Sequence, residues 1–425
     1  MTLSPATTAA RLTAPRLSTG ALLALASGAL ILTLAMGIRQ TFGLFMGPVC
    51  LALDIGREQF GLAMAVQNIL WGAAQPFAGA LADRFGALKV LLAGTLAYTG
   101  GLVLMASAGT YAAFQTGAGL LVGLGLSSVS FAVVLGAIGR AVPPQRRSAA
   151  FGLASAGGSF GQFAMAPVGQ AMIAALGWSQ AFLVMAGFAL AMAPLALLLV
   201  RASSAGANAE AAPESFRPTP SPLAEGGLQA ALREASRHPG FWYLNAGFFV
   251  CGFQVVFIAV HLPSYLADLG LTPDLAAMAL ALIGFFNIIG TWGCGLLGGH
   301  YSKKRLLFAL YAVRALTIAV FLAVPKTETT VLAFAAAIGL LWLGTVPLTS
   351  GLVGQIFGVR YLSTLFGLVF FSHQVGSFLG VWLGGVVYTW TGSYDAIWLA
   401  SIVLGVAAAI LHLPIREQAL RPALG

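Results

Sequence analysis

Long apolar runs separated by short polar segments fill the sequence between residues 20 and 413. A helix needs about 20 mostly apolar residues to cross a bilayer, and twelve of the runs approach or exceed that length. They lie near residues 20–46, 59–81, 88–107, 113–138, 149–173, 180–200, 241–266, 275–297, 306–324, 330–353, 363–388 and 395–413. The pattern predicts an all-α membrane protein with twelve transmembrane helices, which we number as spans 1 to 12.

A polar stretch, residues 201–240, divides the runs into two sets of six. It is rich in proline, and we interpret it as a linker on the cytoplasmic face with a short amphipathic helix around Leu228, Leu232 and Ala235. The predicted organisation is a cytoplasmic tail (1–19), a six-helix bundle (20–200), the linker (201–240), a second six-helix bundle (241–413) and a cytoplasmic tail (414–425).

The two sets of six runs repeat one another. When the first set is shifted by 215 residues, several landmarks coincide with the same residue types in the second set. The pairs are Pro48 and Pro263, Phe151-Gly152 and Phe366-Gly367, Gly161 and Gly376, and Gly177 and Gly392. Such repeats are typical of transporters whose substrate site lies near the midplane, between the two halves. We therefore predict two pseudo-symmetric six-helix bundles.

Glycines repeat every four residues on two of the spans. Gly157 and Gly161 share one face of span 5, and Gly376, Gly380 and Gly384 share one face of span 11. Small residues at this spacing let helix backbones approach closely in lipid. We interpret both stripes as packing faces.

Composition and charge agree with a membrane location. The chain is 59% hydrophobic and 8% charged, whereas soluble domains carry about 25% charged residues. Most Lys and Arg residues fall on one side of the predicted membrane, with Arg57 and Lys326 in loops on the other side. The positive-inside rule then places both termini in the cytoplasm. The net charge of +9 therefore reflects topology in the inner membrane rather than a nucleic-acid surface.

The sequence shows no catalytic constellation. Its three cysteines, Cys50, Cys251 and Cys294, lie in or beside apolar runs without metal-ligand spacing. Neither a nucleophile–base pair nor a phosphate-binding loop is evident. We expect no enzymatic activity, no cofactor and no metal.

Charged side chains inside the membrane are costly and usually functional. All twelve acidic residues lie in loops or at span ends, whereas Arg39, Arg314, His261 and His373 lie within spans. A cationic interior without carboxylates suits an anion, and the planar guanidinium of arginine matches a carboxylate. We therefore expect a small organic anion as the substrate.

Arg39 on span 1 is the foremost candidate for binding that anion. The 215-residue shift relates it to Gln254 on span 7, so we expect both side chains to face one central cavity. In this hypothesis Arg39 pairs with the substrate carboxylate and Gln254 donates a hydrogen bond to it. The alternative is that Arg39 extends along the helix to the outer membrane surface.

Other polar residues within the spans complete the candidate substrate site. They are Gln67, Asn68 and Trp71 on span 2, His261 and Tyr265 on span 7, Asn287 on span 8, Arg314 on span 9, and His373 and Gln374 on span 11. Polar groups at this depth face protein or water, so some line the path and others tie helices together. Pairing with a helix end remains an alternative for Arg314. Either histidine can couple a proton to transport or act as a neutral hydrogen-bonding group.

The turn between spans 2 and 3 carries a motif. Gly79, Asp83, Arg84 and Gly86 follow the spacing of the signature between helices 2 and 3 of the major facilitator superfamily, which this turn resembles. The basic pair expected next is Ala87-Leu88, with Lys89 one place later. The resemblance implies a cytoplasmic gate between two six-helix halves. An Asp at this position can bind the N-terminus of a helix from the other half in one state and release it in the other.

A wider resemblance covers residues 37–182. The phrase from Gly37 to Gly43 on span 1, and the run from Arg140 to Trp178, are similar to bacterial monocarboxylate transporters and oxalate–formate exchangers. This implies transport of small organic anions, with a proton or by exchange. Span 8 lacks the Asp/Arg pair of the monocarboxylate branch and span 11 lacks its Lys, so the coupling and the carboxylate stay open. Gly119 and Ala166-Pro167 depart from the motifs of multidrug antiporters.

These observations favour a monomeric secondary active transporter of a small organic anion, above all a monocarboxylate. Transport proceeds by alternating access, through proton symport or anion exchange, so protons are a second expected partner. One alternative is an exporter of a neutral or amphiphilic compound. An alternative of another class is a membrane sensor or scaffold that transports nothing.

Overall fold

The computed structural model describes residues 17–143, 146–209, 227–358 and 361–420, and all regular structure in these ranges is helical. The helices are α1 (Thr19–Gln40), α2 (Met46–Leu53), α3 (Arg57–Phe85), α4 (Ala87–Ala106), α5 (Tyr111–Gln115), α6 (Val122–Val129), α7 (Phe131–Ala141), α8 (Arg147–Leu190), α9 (Met192–Ala209), α10 (Gly227–Arg237), α11 (Pro239–Asp268), α12 (Pro273–His300), α13 (Lys303–Ala323), α14 (Glu328–Leu340), α15 (Thr345–Phe357), α16 (Leu362–Thr391) and α17 (Asp395–His412). A 3₁₀ turn (Phe42–Phe45) joins α1 to α2, and a π-helical turn (Thr116–Leu121) joins α5 to α6.

Twelve helical segments cross the membrane. Ten stretches in the described ranges are long and apolar enough, and one of them, Ala150–Ser203, has 54 residues and holds two crossings. The chain turns inside that stretch at Gly177, whose φ of 79° and ψ of 165° are not helical. Helix α3 is the remaining crossing, because its 29 residues extend about 44 Å at 1.5 Å per residue. The prediction of an all-α protein with twelve transmembrane helices is confirmed.

Several spans consist of more than one helix. Span 1 is α1 with α2, span 2 is α3, span 3 is α4, span 4 is α5 to α7, span 5 is α8 before Gly177, span 6 is the rest of α8 with α9, span 7 is α11, span 8 is α12, span 9 is α13, span 10 is α14 with α15, span 11 is α16 and span 12 is α17.

Hydroxyl side chains begin five of the described helices. Each accepts a hydrogen bond from a backbone N–H three residues further on, and they are Ser18, Thr110, Thr272, Ser302 and Thr327. These bonds satisfy donors that the first turn of a helix leaves without partners. At the other end of α3, Gly86 adopts a φ of 91°, which glycine reaches without steric cost and which lets the chain turn directly into α4.

The buried apolar side chains form two clusters. One is drawn almost entirely from residues 21–202, with a few members such as Val260 and Val381 from the second half. The other is drawn mainly from residues 235–415, with Leu44 and Ala166 from the first half. Each six-helix half therefore has its own core, and the halves meet mainly where α3 packs against α16 and α8 against α12.

The glycine stripes are packing faces, as predicted. The α-carbon of Gly157 approaches α1 so closely that an added Cβ would lie 2.9 Å from the carbonyl oxygen of Ala29. Gly376 and Gly380 lie in the same way against backbone carbonyls of α11. These contacts bring the backbones of spans 1 and 5, and of spans 7 and 11, into direct van der Waals contact.

Two predicted spans are interrupted near their centres. In span 4, Ser130 separates α6 from α7 and has an extended conformation with φ of −95° and ψ of −165°. In span 10, the residues from Leu341 to Gly344 separate α14 from α15. The hydropathy pattern did not reveal either break, because both lie inside continuous apolar runs that contain no proline at the break.

Helices also occupy part of the predicted linker. Helix α9 continues to Ala209, and α10 forms the expected short amphipathic helix. Ala231 and Ala235 are buried against the second half, whereas Arg233 and Arg237 are exposed. The division of the chain at residues 200 and 241 remains a prediction.

The segment after α17 folds back onto the second half. A carboxylate oxygen of Glu417 accepts hydrogen bonds from the hydroxyl of Ser302 at 3.1 Å and from the backbone N–H of Lys304 at 2.7 Å. It therefore lies at the N-terminus of α13, where the helix dipole favours negative charge. In the sequence repeat, the turn before α13 has Gly299 where the first half has Asp83, so a carboxylate from the tail occupies this end of the repeated turn.

The glycine contacts predict a large difference between two substitutions in α16. Gly376→Ala should place a methyl group into the backbone of α11, which should destabilise the fold by about 1–3 kcal/mol because overpacking forces the helices apart. Gly367→Ala, on the same helix, meets open space and should leave stability unchanged or slightly higher. Thermal unfolding in detergent measures both, and equal melting temperatures for the two variants would contradict the packing assignment.

Candidate functional site

The guanidinium of Arg39 lies between α1 and α3, facing protein. One terminal nitrogen donates a hydrogen bond of 2.7 Å to the side-chain oxygen of Asn68. The guanidinium carbon lies 5.1 Å from the centroid of the Trp71 ring, which is a cation–π distance. The Nε atom is buried and has no hydrogen-bond partner among the described residues. Arg39 is therefore directed toward the polar residues of span 2 rather than along the helix to the outer surface.

The polar side chains of α3 around Arg39 are themselves held in place. Asn68 donates to the carbonyl of Met64 at 2.7 Å. Gln67 donates to the carbonyl of Ala118, within the π-helical turn of span 4, at 2.9 Å. The indole N–H of Trp71 donates to the Ser130 hydroxyl at 2.9 Å. Asn68 and Trp71 thus present a fixed surface to Arg39, and Gln67 serves to tie spans 2 and 4 together.

A small cavity lies next to Arg39, where the first half meets span 7. Its lining residues are Arg39, Phe42, Met64, Gln67, Asn68, Ala259 and Val260. Its volume of about 10 Å³ for the centre of a water molecule is room for about one water. A larger ligand can reach this position only if the two halves move apart here.

Span 11 supplies the other side of the site. The ring of Phe370 meets the edge of Trp71 at a centroid distance of 5.7 Å and stacks on His373 at 5.8 Å. The aliphatic part of Gln374 packs against Gly72, where an added Cβ would lie 2.5 Å from it. Trp71 and Gly72 of α3 therefore contact the part of α16 that carries His373 and Gln374.

Two buried hydrogen-bond donors in this region have no acceptor among the described residues. The oxygen of the Gln374 amide lies 3.1 Å from Nδ1 of His373, while its nitrogen has no partner among the described residues. Arg39 Nε is the second such donor. Unpaired buried donors are costly, and a ligand with acceptor oxygens would relieve that cost. No acidic side chain pairs with Arg39 in the part of the chain that the structure describes.

Gln254 does not face Arg39. Its amide nitrogen donates to the carbonyl of Ser401 at 2.7 Å, and its oxygen accepts a bond of 3.3 Å from Arg314. These partners lie on spans 12 and 9, so Gln254 is buried inside the second half. The repeat correctly relates the two positions in sequence, but the structure does not bring their side chains together.

Arg314 closes the end of a broken helix. Its guanidinium donates to the carbonyl of Leu341, and to that of Trp342 at 2.8 Å. These carbonyls lie at the C-terminal end of α14, where a cation is favoured because the helix leaves carbonyl groups unpaired. Arg314 is 1% exposed and lies away from Arg39. The geometry agrees with the interpretation in which Arg314 pairs with a helix end, rather than with the one in which it binds substrate.

Asn287, His261 and Tyr265 are engaged in contacts between helices. Asn287 donates to the Ser159 hydroxyl at 3.0 Å and accepts from the backbone N–H of Leu343 at 3.1 Å. His261 bonds the carbonyl of Val381 at 2.7 Å and the hydroxyl of Tyr394 at 3.0 Å. Tyr265 packs against aromatic rings of spans 9 and 12. The structure places none of these three side chains beside Arg39.

An ion pair joins the two halves at the end of the spans that the charge pattern predicts to face outside. Both terminal nitrogens of Arg57, at the start of α3, donate to the carboxylate of Asp268, at the end of α11, at 2.6 Å. The guanidinium also lies 3.8 Å from the centroid of the Tyr388 ring and donates to the Tyr394 hydroxyl at 3.1 Å. The adjacent Glu58 accepts a hydrogen bond from Thr389. We call Arg57, Asp268, Tyr388 and Tyr394 the outer lock.

Sequence reasoning missed the outer lock. Arg57 and Asp268 are 211 positions apart, and each reads as an ordinary loop residue. One signal was available, because Arg57 is one of two basic residues that the topology places outside.

The motif turn lies at the opposite end of the spans, which the charge pattern predicts to be cytoplasmic. Asp83 is largely exposed, and its carboxylate lies 4.0 Å from Arg140 at the end of span 4. The chain turns at Gly86, two residues after Arg84. An added Cβ at Gly79 or Gly86 would meet no atom within 4 Å. In this conformation the described contacts of Asp83 lie within its own half.

The two pseudo-symmetric bundles, the partly buried cation at their contact and the ion pair that joins them define a membrane transport protein. The chain matches the Major Facilitator Superfamily over residues 17–346, and it belongs to that family. It is a multi-pass membrane protein, and the members to which it is similar are transporters rather than enzymes.

Similar proteins include monocarboxylate transporters. Human monocarboxylate transporter 11 is 29% identical over 392 residues, which cover 89% of this chain and 79% of the human protein. Rat monocarboxylate transporter 13 is 26% identical over 90% of this chain and 86% of the rat protein. The uncharacterized MFS-type transporter YcxA of Bacillus subtilis is 24% identical over 89% of this chain and 91% of its own length.

Solved structures support the same fold. A bacterial homologue of the human lysosomal transporter Spinster, in an inward-facing and unoccupied conformation, superposes with a TM-score of 0.70 at 17% identity. The match covers 93% of this chain and 96% of that protein. The fold prediction and the superfamily resemblance are therefore confirmed.

The outer lock predicts a specific effect of Asp268→Asn. Loss of the carboxylate leaves Arg57 without its charged partner, so the outer contact should open more often. A single cysteine at position 260, which is buried where the halves meet, should then react several-fold faster with a membrane-impermeant maleimide added outside. Asp274→Asn is the matched control, since Asp274 is exposed at the start of α12. Equal labelling rates in both variants would show that the ion pair does not hold this side closed.

Proposed function

We propose that this protein is a secondary active transporter that moves a small organic anion, above all a monocarboxylate, across the cytoplasmic membrane by alternating access. The observation that carries the proposal is the partly buried guanidinium of Arg39, whose Nε is fully buried. It makes one hydrogen bond, leaves Nε unpaired and has no acidic partner among the described residues.

The surroundings of Arg39 favour an anion over a cation. Every acidic residue in the described ranges lies in a loop, on the surface helix α10 or near the end of a spanning helix. A cationic substrate would therefore meet a guanidinium without a neutralising carboxylate. An anion instead gains charge-assisted hydrogen bonds, which are about twice as strong as neutral ones.

The geometry also suits a carboxylate with a short carbon skeleton. Asn68 holds one terminal nitrogen and the Trp71 ring lies against the guanidinium, so the edge that includes Nε is left for a ligand. Trp71 and Phe370 offer apolar surface beside that edge. Gln374, whose amide nitrogen is a further unpaired donor, packs against Gly72, which lies about one helical turn along α3 from Asn68. The names of the monocarboxylate transporters similar to this chain agree with this substrate class.

Alternating access assigns roles to the two ends of the site. The outer lock holds the outside closed in the present conformation. In the opposite state we expect the lock to separate and Asp83 to leave Arg140 and bind the N-terminus of α16, where backbone N–H groups favour a carboxylate. Gly79, Arg84 and Gly86 would shape the turn that delivers Asp83. Coupling is by proton symport or by anion exchange.

Uptake into liposomes by the purified protein tests the proposal. Arg39→Ala should lower the transport efficiency for its carboxylate about ten- to a hundredfold, because hydrogen bonds to charged groups contribute about 1.5–3 kcal/mol. Arg39→Lys should retain part of it, since lysine keeps the charge but loses the planar fork. Small mono- and dicarboxylates form the panel, measured with and without a pH gradient.

The matched control is Arg305→Ala, which removes an exposed cytoplasmic arginine and should leave uptake unchanged. Undiminished carboxylate uptake by both Arg39 variants would refute the proposed site. Transport of lipophilic cations or neutral amphiphiles alone would point instead to an exporter of such compounds.

A further inference from the structure

Both interrupted spans are held at their breaks by a side chain from a neighbouring span. In span 4, the hydroxyl of Ser130 accepts the indole N–H of Trp71 at 2.9 Å. In span 10, the backbone N–H of Leu343 donates to the side-chain oxygen of Asn287 at 3.1 Å. A break in a buried helix leaves backbone polar groups that need partners. Span 8 supplies one to the backbone at the break in span 10, whereas span 2 holds the side chain of the residue at the break in span 4.

The two positions correspond in the internal repeat. The turn after span 2 coincides with the turn after span 8 at a shift of 216 residues, and the same shift relates Trp71 to Asn287. The breaks correspond as well, because Ser130 shifted by 215 residues reaches Thr345, directly after the break in span 10. Trp71 and Asn287 thus occupy equivalent positions in the two halves, and each forms a hydrogen bond with a residue at the break of its own half.

Each of the two side chains also touches the opposite half. The Trp71 ring meets Phe370 on span 11 at 5.7 Å. The Asn287 amide nitrogen donates to the hydroxyl of Ser159 on span 5 at 3.0 Å. Each residue therefore connects the break in its own half to a helix of the other half. When the halves move relative to one another, these connections must stretch, break or carry the broken span with them.

The segments beyond the breaks lie on the cytoplasmic side. Helix α7 carries Arg140, which faces Asp83 in the motif turn. Helix α15 ends at Gly358, whose φ of 82° allows the turn toward α16. A change of angle at either break would thus move the cytoplasmic half of span 4 or span 10 while the outer half stays in place.

We propose that Trp71 and Asn287 are a matched pair of positioning residues that couple movement between the two halves to bending of spans 4 and 10 at their breaks. Loss of either link separates the cytoplasmic segment from the motion of the opposite half. The inference rests on the alternating access proposed above, but it does not depend on which substrate is carried.

Distance measurements between spin labels on the full-length protein in lipid nanodiscs test this pair. The three native cysteines are replaced by serine, and new cysteines are introduced in two pairs. Leu51 with Trp390 reports the outer side, and Arg140 on α7 with Gln355 on α15 reports the cytoplasmic segments beyond the two breaks; all four side chains are exposed. Trp71→Phe keeps an aromatic ring and removes the N–H. Asn287→Leu keeps the approximate size and removes the three side-chain hydrogen bonds, to Ser159, Thr291 and Leu343.

Two tyrosines provide controls of equal size. Tyr98 donates to the carbonyl of Ala35 at 3.0 Å and Tyr311 donates to that of Gly247 at 2.6 Å, each within one half. Tyr98→Phe and Tyr311→Phe therefore also remove one buried hydrogen bond, but neither bond reaches a break or the other half. Ser130→Ala and Ser159→Ala remove the proposed links from their partner side and serve if Asn287→Leu does not fold.

We expect the distribution of the cytoplasmic distance to be broader in the Trp71, Asn287, Ser130 and Ser159 variants than in the unsubstituted protein. The fraction of molecules in the less populated distance range should change at least threefold. The tyrosine variants should match the unsubstituted protein. Identical distributions in all variants would overturn the inference. Since no substrate is present, failure of carboxylate uptake leaves this result unaffected, and an unchanged distribution leaves the anion proposal standing.

Discussion

Lipid offers no hydrogen bonds, so every polar group inside the bilayer has to find its partner within the protein. This constraint explains most of the polar residues in the spans. Gln67 bonds the backbone of the π-helical turn, Arg314 bonds the end of α14, and Asn287 bonds the break in span 10. Several buried donors in the described residues still have no partner, Nε of Arg314 among them, and those of Arg39 and Gln374 lie at the contact between the halves.

The two intramembrane arginines show how position decides the role of a charge. Arg314 meets carbonyl oxygens of its own half and is almost fully buried, so its charge is satisfied by the dipole of a helix end. Arg39 meets one amide and one aromatic ring and lies where the halves touch. The repeat therefore does not create two equivalent binding groups. The first half contributes the cation to the proposed site, and the second half contributes Phe370 and Gln374.

Much of the fold followed from sequence because membrane helices obey simple rules. Length and hydropathy located the twelve spans, and the repeat predicted the two halves. The glycine spacing on spans 5 and 11 identified real backbone contacts. The breaks at Ser130 and Leu341 were not predictable, because they depend on side chains of neighbouring spans rather than on local apolar pattern.

Part of the candidate site was also predictable. Arg39, Asn68 and Trp71, which contact one another in the structure, were all among the candidate residues named from the sequence. The contacts of Gln254 could not be predicted from the sequence, because the position of a residue along a helix does not show which neighbouring helices its side chain meets.

The tail carboxylate has a consequence for biosynthesis. Glu417 occupies the N-terminus of α13 and follows α17 in the chain. During translation it leaves the ribosome only after all twelve spans have been made. The N-terminus of α13 therefore lacks the acceptor of the Lys304 N–H until synthesis has passed the last span, and the second half completes this contact only at that late moment.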